Sequence, residues 1–83
     1  MLKVSDIVRE GKGELLQGDL NQVCGSFSID TRTINKGEVY VAIIGETLDG
    51  NDFVLEAIEK GANICIVSKK IDIPKKEGLS IIY

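Results

Sequence analysis

Val39-Tyr40-Val41-Ala42-Ile43-Ile44 is an unbroken apolar run, and Ile64-Cys65-Ile66-Val67 is a second one. Neither alternates apolar with polar residues, so each predicts a strand covered on both faces. Between them, Phe53, Val54, Ala57 and Ile58 share one face at helical spacing. Asn51 or Asp52 can cap that helix, Lys60 suits its negative C-terminal end, and Gly61 ends it. Strand, helix and strand in this order predict a right-handed crossover between parallel strands, the hand that lets the helix pack back onto a twisted sheet.

Upstream, Val23, Gly25, Phe27 and Ile29 alternate with Cys24, Ser26, Ser28 and Asp30, the period of a half-buried strand. Asn35-Lys36-Gly37 reads as the turn that follows. Nearer the start, Ser5 precedes Asp6-Ile7-Val8-Arg9-Glu10, with Gly11 and Gly13 beyond, which predicts a capped helix of about two turns. Glu14 to Gly18 predicts a short edge strand and Asp19 to Gln22 a connecting turn. Downstream, Lys69 to Gly78 is a polar loop carrying the single proline, Pro74, and Leu79 to Tyr83 is a final strand. The expected fold class is α/β: a small mixed sheet with a central right-handed parallel β-α-β unit and about two helices, in one domain over residues 1–83.

Composition excludes several functions. The chain has 83 residues, 43% apolar and 28% charged, which suits a soluble globular domain with a thin core. It has no histidine, which removes the commonest general base and metal ligand, so no metal site is expected. Its net charge of -3, with only Lys69-Lys70 and Lys75-Lys76 paired, argues against nucleic-acid binding. Cys24 and Cys65 lie far apart in apolar stretches, as buried free thiols of a reducing cytoplasm do. No apolar run reaches the ~20 residues of a membrane span, and no signal peptide opens the chain, so a cytoplasmic location is expected.

In open α/β sheets, ligands collect beyond the carboxyl ends of the strands. Two polar segments lie there. Asp30-Thr31-Arg32 sets a hydroxyl beside a guanidinium, whose fork of donors suits phosphate; taken alone, it reads more readily as a turn with a surface ion pair. Gly45-Glu46-Thr47-Leu48-Asp49-Gly50-Asn51-Asp52 joins a buried strand to a helix N-terminus, either as an anion site or as a long loop whose aspartates cap the helix. Gly45 and Gly50 have the G-x-x-x-x-G spacing of a phosphate-binding P-loop, but Asn51-Asp52 stands where Lys-Ser/Thr is required. Without that lysine, and with a carboxylate in its place, the loop should not hold ATP.

Taken in order, Ile29-Asp30-Thr31-Arg32, Gly37, Val39-Tyr40-Val41-Ala42, Gly45-Glu46, Asp49-Gly50-Asn51-Asp52-Phe53, Ala57 and Gly61-Ala62 resemble the N-terminal domain of Mur ligases. The pattern is D-[ST]-R, a turn glycine, an F-V-A-like strand, G-E, D-G-H-x-F and a closing G-A. Leu15-Leu16-Gln17-Gly18 and the final strand fit as well. The chain departs from the pattern at Asn51, usually histidine, and at Tyr40, usually phenylalanine.

The resemblance implies a domain that binds the uridine-diphosphate part of UDP-N-acetylmuramoyl-peptide. Central and C-terminal domains of the parent ligase would supply ATP, magnesium and the incoming amino acid. By this likeness, Ile29, Thr31, Glu46, Thr47 and Leu48 would contact UDP, with Asp30, Arg32, Asp49, Gly50 and Asn51 supporting the loops. No residue would be catalytic, and no cofactor would belong to this chain. Gly45-Glu46 favours the branch that adds D-alanyl-D-alanine over the one that adds lysine or diaminopimelate. A stand-alone interaction module of the same fold is the alternative.

Overall fold

The computed structural model describes residues 1–83. Helix α1 (Val4–Gly11) leads into strand β1 (Leu15–Gln17), followed by β2 (Phe27–Ser28) and β3 (Val39–Val41). A 3-10 turn, Gly50–Phe53, then runs into α2 (Val54–Glu59), and β4 (Ile64–Ile66) and β5 (Ser80–Ile82) complete the chain. The strands form one sheet in the order β1-β5-β4-β3-β2, with β2 through β5 parallel and β1 antiparallel at the far edge. The α/β class and the strand-helix-strand unit at its centre are as expected from the two apolar runs.

The register explains why those runs do not alternate. Tyr40 lies opposite Cys65, and Cys65 opposite Ile81. These three share a cluster with Val54 and Ala57 of α2. The neighbouring positions Val39, Ile64 and Ile82 cluster instead with Val4 of α1, backed by Ile7 and Val8. One helix therefore covers each face of the sheet, and successive strand residues are both buried.

Three local expectations are corrected. Ser5 does not cap α1: the N-cap is Lys3, whose backbone N–H donates to the Asp6 carboxylate at 2.8 Å. Its C-terminal end is closed by Lys12, in left-handed conformation at φ 53°, and by neither glycine. The strand expected from Val23 to Asp30 shrinks to Phe27–Ser28, and its apolar residues point outward, with Val23, Phe27 and Ile29 at 42%, 48% and 64% exposure. The cause is β2's edge position, together with a close approach at Gly25, where a Cβ would lie 2.7 Å from the Gly37 carbonyl oxygen.

The third correction concerns Ile43 and Ile44, read as part of the buried run yet half exposed. β3 stops before them because Ile43 accepts the Gly50 N–H and Ile44 bridges to Asp49, folding the chain back on itself. Gly61, at φ 113°, does end the crossover helix, and a Cβ there would lie 2.8 Å from Lys36 Cα.

Ile64 is fully buried between the sheet and α1. Ile64→Ala should lower unfolding free energy by about 2–5 kcal/mol, the range for truncating a core aliphatic. Leu55→Ala, at a half-exposed position, should change it by less than about 0.5 kcal/mol. Urea denaturation of the two variants checks this, and equal losses would contradict the burial assignment.

Candidate functional site

Beyond the carboxyl ends of β2 and β3, the chain forms a cleft of about 550 Å³. One wall is Ile29-Asp30-Thr31-Arg32, leaving β2. The other is built by Ile43, Leu48 and Gly50 from the loop after β3, with Phe53 and Glu56 at the start of α2 and Tyr40 at the back. The volume falls in the range of small-molecule sites, and the position is where open α/β sheets bind ligands.

The first wall owes its shape to Asp30. Its carboxylate accepts the Arg32 backbone N–H at 2.8 Å and two guanidinium N–H groups, with Arg32 Nη2 at 2.8 Å. These bonds to Arg32 hold the Asp30 carboxyl down at about 2. Arg32 is thus spent largely on its own loop, the ion-pair reading that the sequence left open. Thr31 is buried, its carbonyl oxygen accepts from Lys60 Nζ at 2.9 Å, and its hydroxyl makes no hydrogen bond within the chain.

The second wall is a double closure. Gly45 N–H donates to the Leu48 carbonyl at 2.8 Å, and Gly50 N–H to the Ile43 carbonyl at 2.8 Å. Asp49 caps the 3-10 turn by accepting the Asn51 N–H at 2.9 Å, so the capping residue is neither Asn51 nor Asp52. The Asn51 side chain is buried and gives one N–H to Asp49 Oδ1 and one to Ser68 Oγ, while its oxygen accepts the Ser68 N–H. Lys69 pairs with the other Asp49 oxygen. Lys69 first, then Asn51, hold the Asp49 carboxyl down at about 2. A carboxylate that takes up the turn's first free N–H leaves no cradle for a phosphate, so the glycine spacing here does not make a P-loop.

Of the residues singled out for nucleotide contact, Ile29, Thr31 and Leu48 line the cleft, as do Asp30, Arg32 and Gly50 of the supporting set. Glu46 and Thr47 do not: they sit exposed at the tip of the turn closed between Gly45 and Leu48. Asp49 and Asn51 stand behind the wall. Sequence reasoning passed over Tyr40, Ile43, Phe53 and Glu56. Phe53 and Glu56 are three apart on the helix face, a spacing that could have flagged them. Tyr40 is buried at 1% exposure and donates its hydroxyl to the Gly50 carbonyl at 2.8 Å, and burial raises its phenol pKa. Burial likewise pushes the Cys65 thiol up to about 12, which leaves it unreactive.

Comparison with known proteins gives this geometry a lineage. Residues 25–82 match the family described as "Mur ligase family, catalytic domain". The chain belongs to the Mur ligase family. It is 37% identical over 75 residues to UDP-N-acetylmuramoyl-L-alanyl-D-glutamate 2,6-diaminopimelate ligase 1 of Clostridium acetobutylicum, covering 90% of this chain and 15% of that protein. It is 32% identical over 59 residues to UDP-N-acetylmuramoyl-tripeptide D-alanyl-D-alanine ligase of Rickettsia prowazekii, covering 71% of this chain and 13% of that protein. Among solved structures, MurF from Acinetobacter baumannii superposes with a TM-score of 0.79 over 96% of this chain and 17% of its own, at 20% identity, a likeness of fold. This Mur ligase chain therefore spans about 15% of the length of such relatives. No helix is long and apolar enough to cross a membrane.

Two measurements probe the walls. Asn51→Ala should cost about 1–3 kcal/mol, because it removes both bonds to Ser68 and leaves the Ser68 N–H without its acceptor, while Asp49 Oδ1 keeps the backbone N–H of residue 51. Asp30 and Asp49 are both lowered from 3.8 to about 2, so their stabilising contribution is complete above pH 3.8 and is lost as pH falls through 2. Denaturation midpoints followed from pH 5 to 2 should fall more steeply in the wild type than in Asp30→Asn or Asp49→Asn; equal slopes would count against the two pairings.

Proposed function

We propose that this chain is the N-terminal domain of a larger cytoplasmic Mur ligase and binds the uridine-diphosphate end of UDP-N-acetylmuramoyl-peptide, a peptidoglycan precursor. The observation that carries the reading is Thr31. Its backbone is held from behind while its hydroxyl stays unpartnered in a cleft walled by Ile29, Ile43, Leu48 and Phe53. Apolar walls suit a flat base, and a single hydroxyl gives it direction. The names of the relatives, which are ligases of UDP-N-acetylmuramoyl substrates, support the same ligand.

ATP, magnesium and the incoming amino acid belong, on this reading, to central and C-terminal domains of the parent ligase. Glu46 and Thr47, on their exposed turn, would meet the nucleotide only as the turn closes over it. Gly45-Glu46 favours addition of D-alanyl-D-alanine. A second reading, addition of diaminopimelate, is favoured by the 37% identity to the Clostridium acetobutylicum ligase. In the complete ligase, ATP-dependent consumption of D-alanyl-D-alanine or of diaminopimelate separates the two.

Titration of the 15N-labelled chain with UDP to several millimolar should shift Ile29, Thr31, Leu48 and Gly50, at weak affinity because one domain grips only part of the substrate. Thr31→Val, which keeps the shape and removes the hydroxyl, should weaken binding roughly two- to tenfold. A wild-type chain silent to UDP, or shifts confined to the opposite end of the sheet around Gln17 and Gln22, would overturn the assignment.

A further inference from the structure

The two walls of the cleft are tied by one side chain, Lys60. Within the first wall, the hydrogen bonds are local. Thr33 N–H donates to the Asp30 carbonyl, Ser28 Oγ and Asp30 bond to one another, and Asp30 holds Arg32. Such bonds set the shape of a turn but not its distance from anything else. One hydrogen bond leaves the turn, and it runs to Lys60 at the end of α2, whose Nζ donates to the Thr31 carbonyl at 2.9 Å across 29 positions of sequence. One helical turn earlier, Glu56 lines the opposite wall, with its Oε2 at 4.0 Å from the same ammonium.

Lys60 was expected to answer the negative end of its own helix. Its ammonium instead reaches the neighbouring loop, where a charged donor on a neutral carbonyl gives one of the stronger hydrogen bonds available. Its charge also adds, in smaller part than Arg32, to holding Asp30 ionised. We propose that Lys60 is a positioning residue: by fixing the Thr31 carbonyl against α2, it sets the width of the cleft and the place at which the Thr31 hydroxyl meets the nucleotide. This rests on the reading of the cleft as a UDP site. Lys60 does not itself touch the nucleotide; it acts through Thr31.

The test uses the whole chain in four forms: wild type, Lys60→Met, Lys60→Arg, and Lys76→Met as a control at an exposed lysine away from the cleft. Two quantities are read, the 15N relaxation of the Thr31, Arg32 and Thr33 amides without ligand, and the dissociation constant for UDP. Lys60→Met should raise the mobility of those three amides and weaken UDP roughly three- to tenfold, an effect tempered by the partial exposure of the lysine. Lys60→Arg should restore both, and Lys76→Met should change neither. Weakened binding with unchanged amide mobility would mean simple charge attraction and would overturn the proposal, as would unchanged binding. A wild type that ignores UDP would sink the ligand assignment alone, because the ligand-free relaxation still judges the tie. Should Lys60→Met not fold, Lys60→Gln, which keeps a neutral donor, replaces it with the same expectations at smaller amplitude.

Discussion

Tyr40 is the point on which core and cleft both depend. Its ring lies in the middle of the sheet, beside Cys65 and under Val54 and Ala57, and its hydroxyl reaches the Gly50 carbonyl at 2.8 Å. A buried phenol must find a partner, or the cost of stripping its hydroxyl of water goes unmet. Finding it on Gly50 pins the loop after β3 to the sheet. The glycine is also required sterically, because a Cβ there would lie 2.6 Å from the Ile43 nitrogen. The second wall of the cleft is therefore set by packing in the core, and phenylalanine at this position would leave the loop without that bond.

The first wall is made differently. β2 is two residues long and lies at the sheet edge, so the turn that follows it inherits little order from the ladder. Asp30 supplies local shape through Arg32, and Lys60 supplies placement. One wall is pinned to the core by the Tyr40 phenol as well as by the Asp49–Lys69 pair, and the other is placed by charged groups alone among its side-chain bonds to the rest of the chain. Salt and low pH act on the charged pairs of both walls, Asp30 with Arg32 and Asp49 with Lys69, and leave the buried Tyr40 bond, since exposed charges are screened and a buried phenol is not.

This division also explains what the sequence could reveal. The two apolar runs around α2 dictated the centre of the sheet, since a strand buried on both faces has only one way to read. The segment from Val23 to Ile29 misled because alternation marks a half-buried strand only when the apolar parity faces the core; at this edge it faces outward, and the half-buried positions are Cys24, Ser28 and Asp30. Ile29, Thr31 and Leu48 were legible as cleft lining because the family likeness and the topology point to the same strand ends. Tyr40, Ile43, Phe53 and Glu56 were missed because they look like core and helix residues in one dimension and become cleft lining only where strand, loop and helix converge. The reach of Lys60 to Thr31 has no local signature at all.

Asn51 shows how a departure from a family pattern can be read physically. Its side chain serves three partners: one amide hydrogen to Asp49, one to Ser68 Oγ, and its oxygen to the Ser68 N–H. An imidazole has two nitrogens and, when neutral, one donor and one acceptor, so histidine could keep at most two of the three bonds. Ser68, in the loop after β4, and Asn51, in the 3-10 turn that leads into α2, thus satisfy one another. With Asn51 in place, the loop after β4 carries a serine that answers it, and Lys69 beside that serine closes the network on Asp49. The same carboxylate that fills the N-terminal end of this turn keeps phosphate away from it. The imitation of P-loop spacing between Gly45 and Gly50 is therefore a by-product of two backbone closures, of which the one at Gly50 needs a glycine, while a Cβ at Gly45 would come no nearer than 3.4 Å to the Leu48 carbonyl oxygen.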